Sequence, residues 1–195
     1  MRSRHRSSTP LILTLLVCIG AVAPPESRGT EQSLATTFSV GPNGALALQL
    51  PEAWKPKIKK FEAKKEGNAG LALNFKSPEP AGWAVLFSGF WNYNSPRRFS
   101  ADELKAQVAG LSATYADQTA EPSPEVREIR GDGVTGYFIS MTDKVPKPSE
   151  YEYLSQGVVR VGEMTIAFTV LSNGNREPTL GKALSMLSTA KFTRE

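Results

Sequence analysis

Thiol and imidazole are almost missing from this 195-residue chain: Cys18 is the one cysteine and His5 the one histidine. Both fall inside the first twenty residues, so a mature protein that begins later carries neither. That excludes a thiolate nucleophile. It excludes a Ser-His-Asp triad, in which an imidazole must take the serine proton. It also removes the nitrogen and sulfur ligands that zinc prefers. A single cysteine cannot form an intrachain disulfide, so burial must stabilise the fold. Long apolar runs are missing too. The uncharged run at residues 11–23 has thirteen residues, whereas a membrane-crossing helix takes roughly 17–25. With 16 Gly, 14 Pro, 40% hydrophobic and 22% charged residues, the composition excludes collagen-like, coiled-coil and fully disordered chains.

What is there begins with an address. Arg2, Arg4 and Arg6 precede the apolar run, and the small residues Ala21-Val22-Ala23 end it. A basic flank, a short apolar core and small residues make a secretory signal. Residues 1–29 are therefore expected to be a signal peptide and flexible lead-in, cleaved somewhere between 23 and 35. Pro24 is a poor residue to follow a cut after Ala23, and Ser33-Leu34-Ala35 is the later alternative. Val17 before Cys18, in mid-core, argues against a lipid anchor. The formal charge is +4, but residues 1–29 hold Arg2, Arg4, Arg6, Arg28 and Glu26, and without them 19 basic and 18 acidic side chains remain, a net +1. Bulk charge thus gives no reason to expect a nucleic-acid partner. The expectation is an exported protein, periplasmic or secreted, with no permanent membrane span.

After the lead-in, apolar residues recur mainly with period two. Strands are expected at 37–40 and 45–50 around the turn Gly41-Pro42-Asn43-Gly44, with Leu46, Leu48 and Leu50 on one face. A lysine-rich strand follows at 57–63, then one carrying Leu71, Leu73 and Phe75. Residues 82–93 are apolar on both faces, which predicts a central strand covered on both sides. Ser100-Ala101-Asp102-Glu103 is a capping box, and Leu104, Val108, Leu111 and Tyr115 follow at helical spacing. Strands at 125–130 and 134–143, a hairpin at 150–160 and 163–171, and a closing helix at 177–189 complete the order. Consecutive hairpins and two helices with single apolar stripes predict an α+β single-domain sandwich, a mainly antiparallel sheet with two amphipathic helices packed on it.

Pro-Glu-Ala-Trp at 51–54, the hairpin pattern Tyr-x-x-Gln-Gly-Val-Val-x-x-Gly from Tyr153, and Ala-Phe-Thr-Val-Leu-Ser-Asn at 167–173 together resemble the PsbP-like and DcrB-like superfamily of αβα sandwich proteins. The likeness covers about residues 37–192. It implies a binding or accessory role and brings no catalytic residue with it.

Three motifs point to chemistry. Gly131-Asp132-Gly133-Val134-Thr135-Gly136 has the dinucleotide glycine spacing, but that motif must open a helix, and the strand-like Tyr137-Phe138-Ile139 follows; a hairpin turn is expected. Arg130-Gly131-Asp132 within it matches an adhesion tripeptide and reads better as the same turn. Ser188 and Lys191 have a serine–lysine spacing, yet at a helix end rather than a helix start. No cofactor is expected. The lysines at 55, 57, 59, 60, 64 and 65 fit an edge strand protected against stray pairing better than an anion site.

Two segments have the composition of recognition surfaces. The first is Trp91, Asn92, Tyr93, Arg97 and Arg98, combining aromatics, amide and paired arginines. The second is Asp143, Lys144, Tyr151 and Tyr153, whose carboxylate neighbours lack the spacing of a calcium loop. The leading expectation is a non-enzymatic accessory protein that contacts another protein or an envelope component. The alternatives are a small-ligand carrier with a pocket lined by Trp83, Phe87 and Tyr137, or a hydrolase using carboxylates or a Ser-Lys pair.

Overall fold

Ten strands and two helices account for most of residues 33–79, 82–174 and 176–194, which the computed structural model describes. The expected signal segment lies outside them. The strands are β1 (Ser33–Val40), β2 (Gly44–Pro51), β3 (Lys57–Ala63), β4 (Asn68–Lys76), β5 (Trp83–Asn92), β6 (Arg127–Gly131), β7 (Val134–Thr142), β8 (Tyr153–Val161), β9 (Met164–Ser172) and β10 (Lys191–Arg194). The helices are α1 (Ala101–Tyr115) and α2 (Glu177–Ser188).

They form two antiparallel sheets, a seven-stranded one ordered β3-β4-β5-β9-β8-β7-β6 and a three-stranded one ordered β1-β2-β10. The α+β class and the hairpins are as expected. The sheet divides because β2 pairs with β1 on one side and with β10 on the other. β10 was not expected: Lys191-Phe192-Thr193-Arg194 is too short and polar to signal a strand, and Lys191 lies in it rather than ending a helix.

The main core lies between the sheets. Leu46, Leu48 and Leu50 of β2 meet Leu71, Leu73 and Phe75 of β4, Val85 and Phe87 of β5, and Ile166 and Phe168 of β9. Leu180, Ala183, Met186 and Leu187 of α2 join them. On the opposite, outer face, α1 packs over β7 and β8. There Leu104 and Val108 meet Ile139, Met141 and Val158. The capping box is present in full: the Ser100 hydroxyl accepts the Glu103 N–H (3.2 Å) and the Glu103 carboxylate accepts the Ser100 N–H (2.7 Å).

One expectation is corrected. β5 is third of seven strands, and its two faces are not covered alike: on the inner face Val85, Phe87 and Trp91 are at most 2% exposed, whereas on the outer face Ala84 is buried, Leu86 is half-buried and Phe90 is 50% exposed. Alternating apolar residues reveal that both faces are apolar, not what covers them. β3 is an edge strand, as its lysines predicted.

Candidate binding site

The second of the two recognition segments borders a cleft of about 760 Å³ at the C-terminal end of α1. Its floor is a cross-strand row. Met141 of β7 pairs with Leu154 of β8, and Leu154 with Leu171 of β9, so register alone sets three apolar side chains abreast. Tyr115, from the last turn of α1, and Tyr151 add aromatic surface. The rim is the loop between β7 and β8, with Asp143, Lys144, Val145, Lys147, Glu150 and Glu152.

Local hydrogen bonds give that loop its form. The Asp143 carboxylate accepts the Val145 N–H (2.8 Å) and the Lys144 ammonium donates to the Asp117 carbonyl (3.3 Å). Lys147-Pro148-Ser149-Glu150 is a turn closed by the Glu150 N–H on the Lys147 carbonyl (2.9 Å), with Ser149 at φ 75°. Proline second and a left-handed residue third is a type II pattern, whose third place favours glycine. A serine there holds backbone strain at the mouth of the cleft.

Behind the cleft, the segment after α1 is sewn to the end of β7. Thr119 bridges to Asp143, and the Glu121 carboxylate accepts both the Thr142 N–H (2.8 Å) and the Thr142 hydroxyl (2.7 Å). Burial pushes the Glu121 carboxyl up, but the two Thr142 bonds, a bond to its own backbone and the Arg176 charge together outweigh it and leave the group below the usual glutamate range. Glu103 is also lowered, by its Ser100 backbone bond first and then by Arg97. Both shifts run opposite to what a general acid needs. Among the described residues no three His, Cys, Asp or Glu side chains converge as a metal site.

Of the four residues in this segment, Asp143, Lys144 and Tyr151 line the cleft. Tyr153 does not. It precedes Leu154 on β8, so it points to the other side of the sheet, with the Arg176 guanidinium 5.5 Å from its ring centre. Its hydroxyl is raised by a hydrogen bond with Glu152. Sequence reading missed Tyr115, Met141, Leu154 and Leu171, which four separate elements contribute.

The first segment serves mostly to shape its own loop. Trp91 is 2% exposed and packs edge-on against Phe192 with ring centres 5.0 Å apart. Asn92 accepts the N–H groups of Asn94 (3.0 Å) and Ser95 (2.7 Å) and donates to Asn68 (2.9 Å). Tyr93 donates to Glu62 (3.3 Å), and its hydroxyl is raised by burial first and by that carboxylate second. Arg97 pairs with Glu103 (3.0 Å) and stacks on Phe99, and Arg98 pairs with Glu163 (3.4 Å). Of the five, Arg97 and Arg98 are exposed, Asn92 and Tyr93 are half-buried and Trp91 is buried.

The remaining motifs have packing explanations. Gly131–Gly136 runs through the β6–β7 hairpin and into a strand, so no helix N-terminus is offered to a pyrophosphate. A Cβ on Gly131 would stand 1.8 Å from the Ser188 carbonyl oxygen, so β6 can meet the end of α2 only with glycine there. Gly133 supplies the positive φ of the turn, 72°. Ser188 gives its hydroxyl to the Ser185 carbonyl (3.1 Å), while Lys191 is exposed on β10. Trp83 and Phe87 belong to the main core and Tyr137 packs beneath α1, so none of the three lines the cleft.

No family model matches the chain and no curated protein matches it. Among solved structures it is similar to LpqN, involved in cell envelope biogenesis of Mycobacterium tuberculosis, at 11% identity and a TM-score of 0.43, over 83% of this chain and 91% of that one. It is also similar to the cyanobacterial PsbP (CyanoP) of Synechocystis, at 14% identity and a TM-score of 0.33, over 74% of this chain and 96% of that one. The second bears the family name read from the sequence. Overlaps of this depth carry no argument about function, which rests on the residues themselves.

Proposed function

We propose that this chain is an exported, non-enzymatic accessory protein that works by contact, and that the cleft beneath residues 143–152 is its contact site. The observation that carries this reading is the cleft itself: an apolar floor of Met141, Leu154 and Leu171 under a charged rim. Such a mix suits the insertion of a partner's apolar side chain with polar groups around it. Of the four carboxylates lining it, two are engaged by loop backbone, Asp143 by the Val145 N–H and Glu150 by the Lys147 N–H. The test is co-purification from the native envelope with the wild-type chain and with Tyr151→Ala combined with Val145→Asp. Loss of a partner in the double variant is expected; an identical set of partners refutes the assignment.

A second reading, a small-ligand carrier, is favoured by volume, since 760 Å³ lies within the roughly 300–1,000 Å³ of ligand pockets. Native mass spectrometry separates the two: a carrier retains an adduct of small mass, a contact protein does not.

This reading includes removal of the N-terminal segment, at whichever of the two candidate cuts leaves β1 whole. Ser33, Leu34 and Ala35 pair with Pro51, Leu50 and Gln49, so cleavage after Ala35 strips three residues from β1. Cleavage near residue 23 keeps the strand whole and is the site proposed here. The intact mass of the exported product decides it.

A further inference from the structure

The outer face of the large sheet is covered over β7 and β8 by α1, and among the described residues no helix packs on this face over β9, β5, β4 and β3. We propose that this bare half is a docking trough for an acidic amphipathic helix of a protein partner.

Register defines the trough. One row runs Phe61, Gly70, Phe90, Thr165; the next Lys59, Ala72, Ser88, Ala167; the next Lys57, Asn74, Leu86, Thr169; and the last, Lys76, Ala84, Leu171, closes the trough, with Ala84 buried and Leu171 shared with the cleft floor. These rows share the face that α1 covers further along, because Thr169, Ala167 and Leu171 continue into Gln156, Val158 and Leu154. Six residues of strand rise make it about 20 Å long and three strand spacings make it about 14 Å wide. An α-helix of about 14 residues is 20 Å long and 10–12 Å across. The trough is thus one helix in size, as is the half that α1 fills.

Its chemistry is one-sided. The outward residues of β3, β4, β5 and β9 include Lys57, Lys59 and Lys76 and not one carboxylate. At the Phe61–Phe90 end Glu66 and Glu163 line the same pocket as the two rings, together with Arg97, and Glu163 is paired with Arg98, so the uncompensated positive charge lies toward Lys57, Lys59 and Lys76. Phe61 and Phe90 are 43% and 50% exposed with ring centres 5.6 Å apart, an aromatic anchor open to solvent. Ala72, Ser88 and Ala167 between the ends let a backbone approach closely.

The shape selects the occupant. β4, β5 and β9 are paired on both sides, so the face offers no backbone groups to an extended peptide, whereas a helix satisfies its own. A flat membrane would rest on α1, which stands about 10 Å above the sheet, and would not reach the floor. An interface of one helix lies below the roughly 1,200 Å² of stable complexes, so the contact is a weak, exchanging one.

The test uses the full exported chain and two helical peptides of about 14 residues with one apolar stripe, flanked by glutamates in one and by lysines in the other. Fluorescence anisotropy is expected to give saturable binding of the glutamate peptide alone. Lys57→Glu with Lys59→Glu, on an edge where folding is insensitive, weakens it about tenfold and removes its salt dependence. Ser88→Arg blocks the floor with a similar loss, and Lys105→Glu on α1 changes nothing. Equal binding of both peptides, no binding of the acidic one, indifference to the lysine reversals, or attachment to phosphatidylglycerol vesicles in its place would overturn the proposal. The cleft reading fails separately: Tyr151→Ala leaves this peptide's affinity intact.

Discussion

The two halves of the outer sheet face differ in what they were given rather than in backbone. Under α1, Ile139 and Met141 are at most 1% exposed and Val158 is 8% exposed. Over the other half, Phe90 keeps half its surface in water and Ala167 is exposed. Both halves are made of long, well-paired antiparallel strands. The difference teaches that a sheet face need not be closed to fold: burial on the inner side supplies the stability, and the outer half stays available for contact.

Substitutions sharpen that contrast. Leu104→Ala, beneath the covering helix where the side chain is fully buried, should lower unfolding free energy in urea by about 2–5 kcal/mol. Glu121→Gln weakens the tether that fixes the segment after α1 to Thr142 and should cost about 1–2 kcal/mol at neutral pH. The folded Glu121 carboxyl lies below the unfolded value of about 4.3. Its contribution is therefore complete above that value and is lost as pH falls through the lower folded one. The stability gap between wild type and Glu121→Gln should close in acid; a gap that widens there would refute the tether. Ser100→Ala removes the N-cap of α1 and should cost about 1 kcal/mol in the same assay. Ala167→Thr, on the bare half, should change stability by no more than about 0.5 kcal/mol. A large loss at Ala167 would mean that half is covered after all.

Sequence made the elements readable where local physics decides them. The capping box at Ser100–Glu103 sets the start of α1, and the alternation of Met164, Ile166, Phe168 and Val170 gives β9 its buried face. It could not foretell that the first hairpin leaves the large sheet, because pairing β1 with β2 does not say what lies on the far edge of β2. It misread β5 for a related reason: Leu86 and Phe90 are apolar whether a helix covers them or a partner does. Of the cleft, the loop side was legible in Asp143, Lys144 and Tyr151. The floor was not, since Met141, Leu154 and Leu171 become neighbours only through register.

The most direct measurement is hydroxyl-radical footprinting of the exported chain, first purified and then in its native envelope. Phe61 and Phe90 should be oxidised rapidly in the purified chain and protected in the envelope, with Leu104 and Val108 protected in both. Protection of Phe61 and Phe90 in the purified chain, or equal oxidation in both settings, would contradict the claim that this bare half is a docking surface.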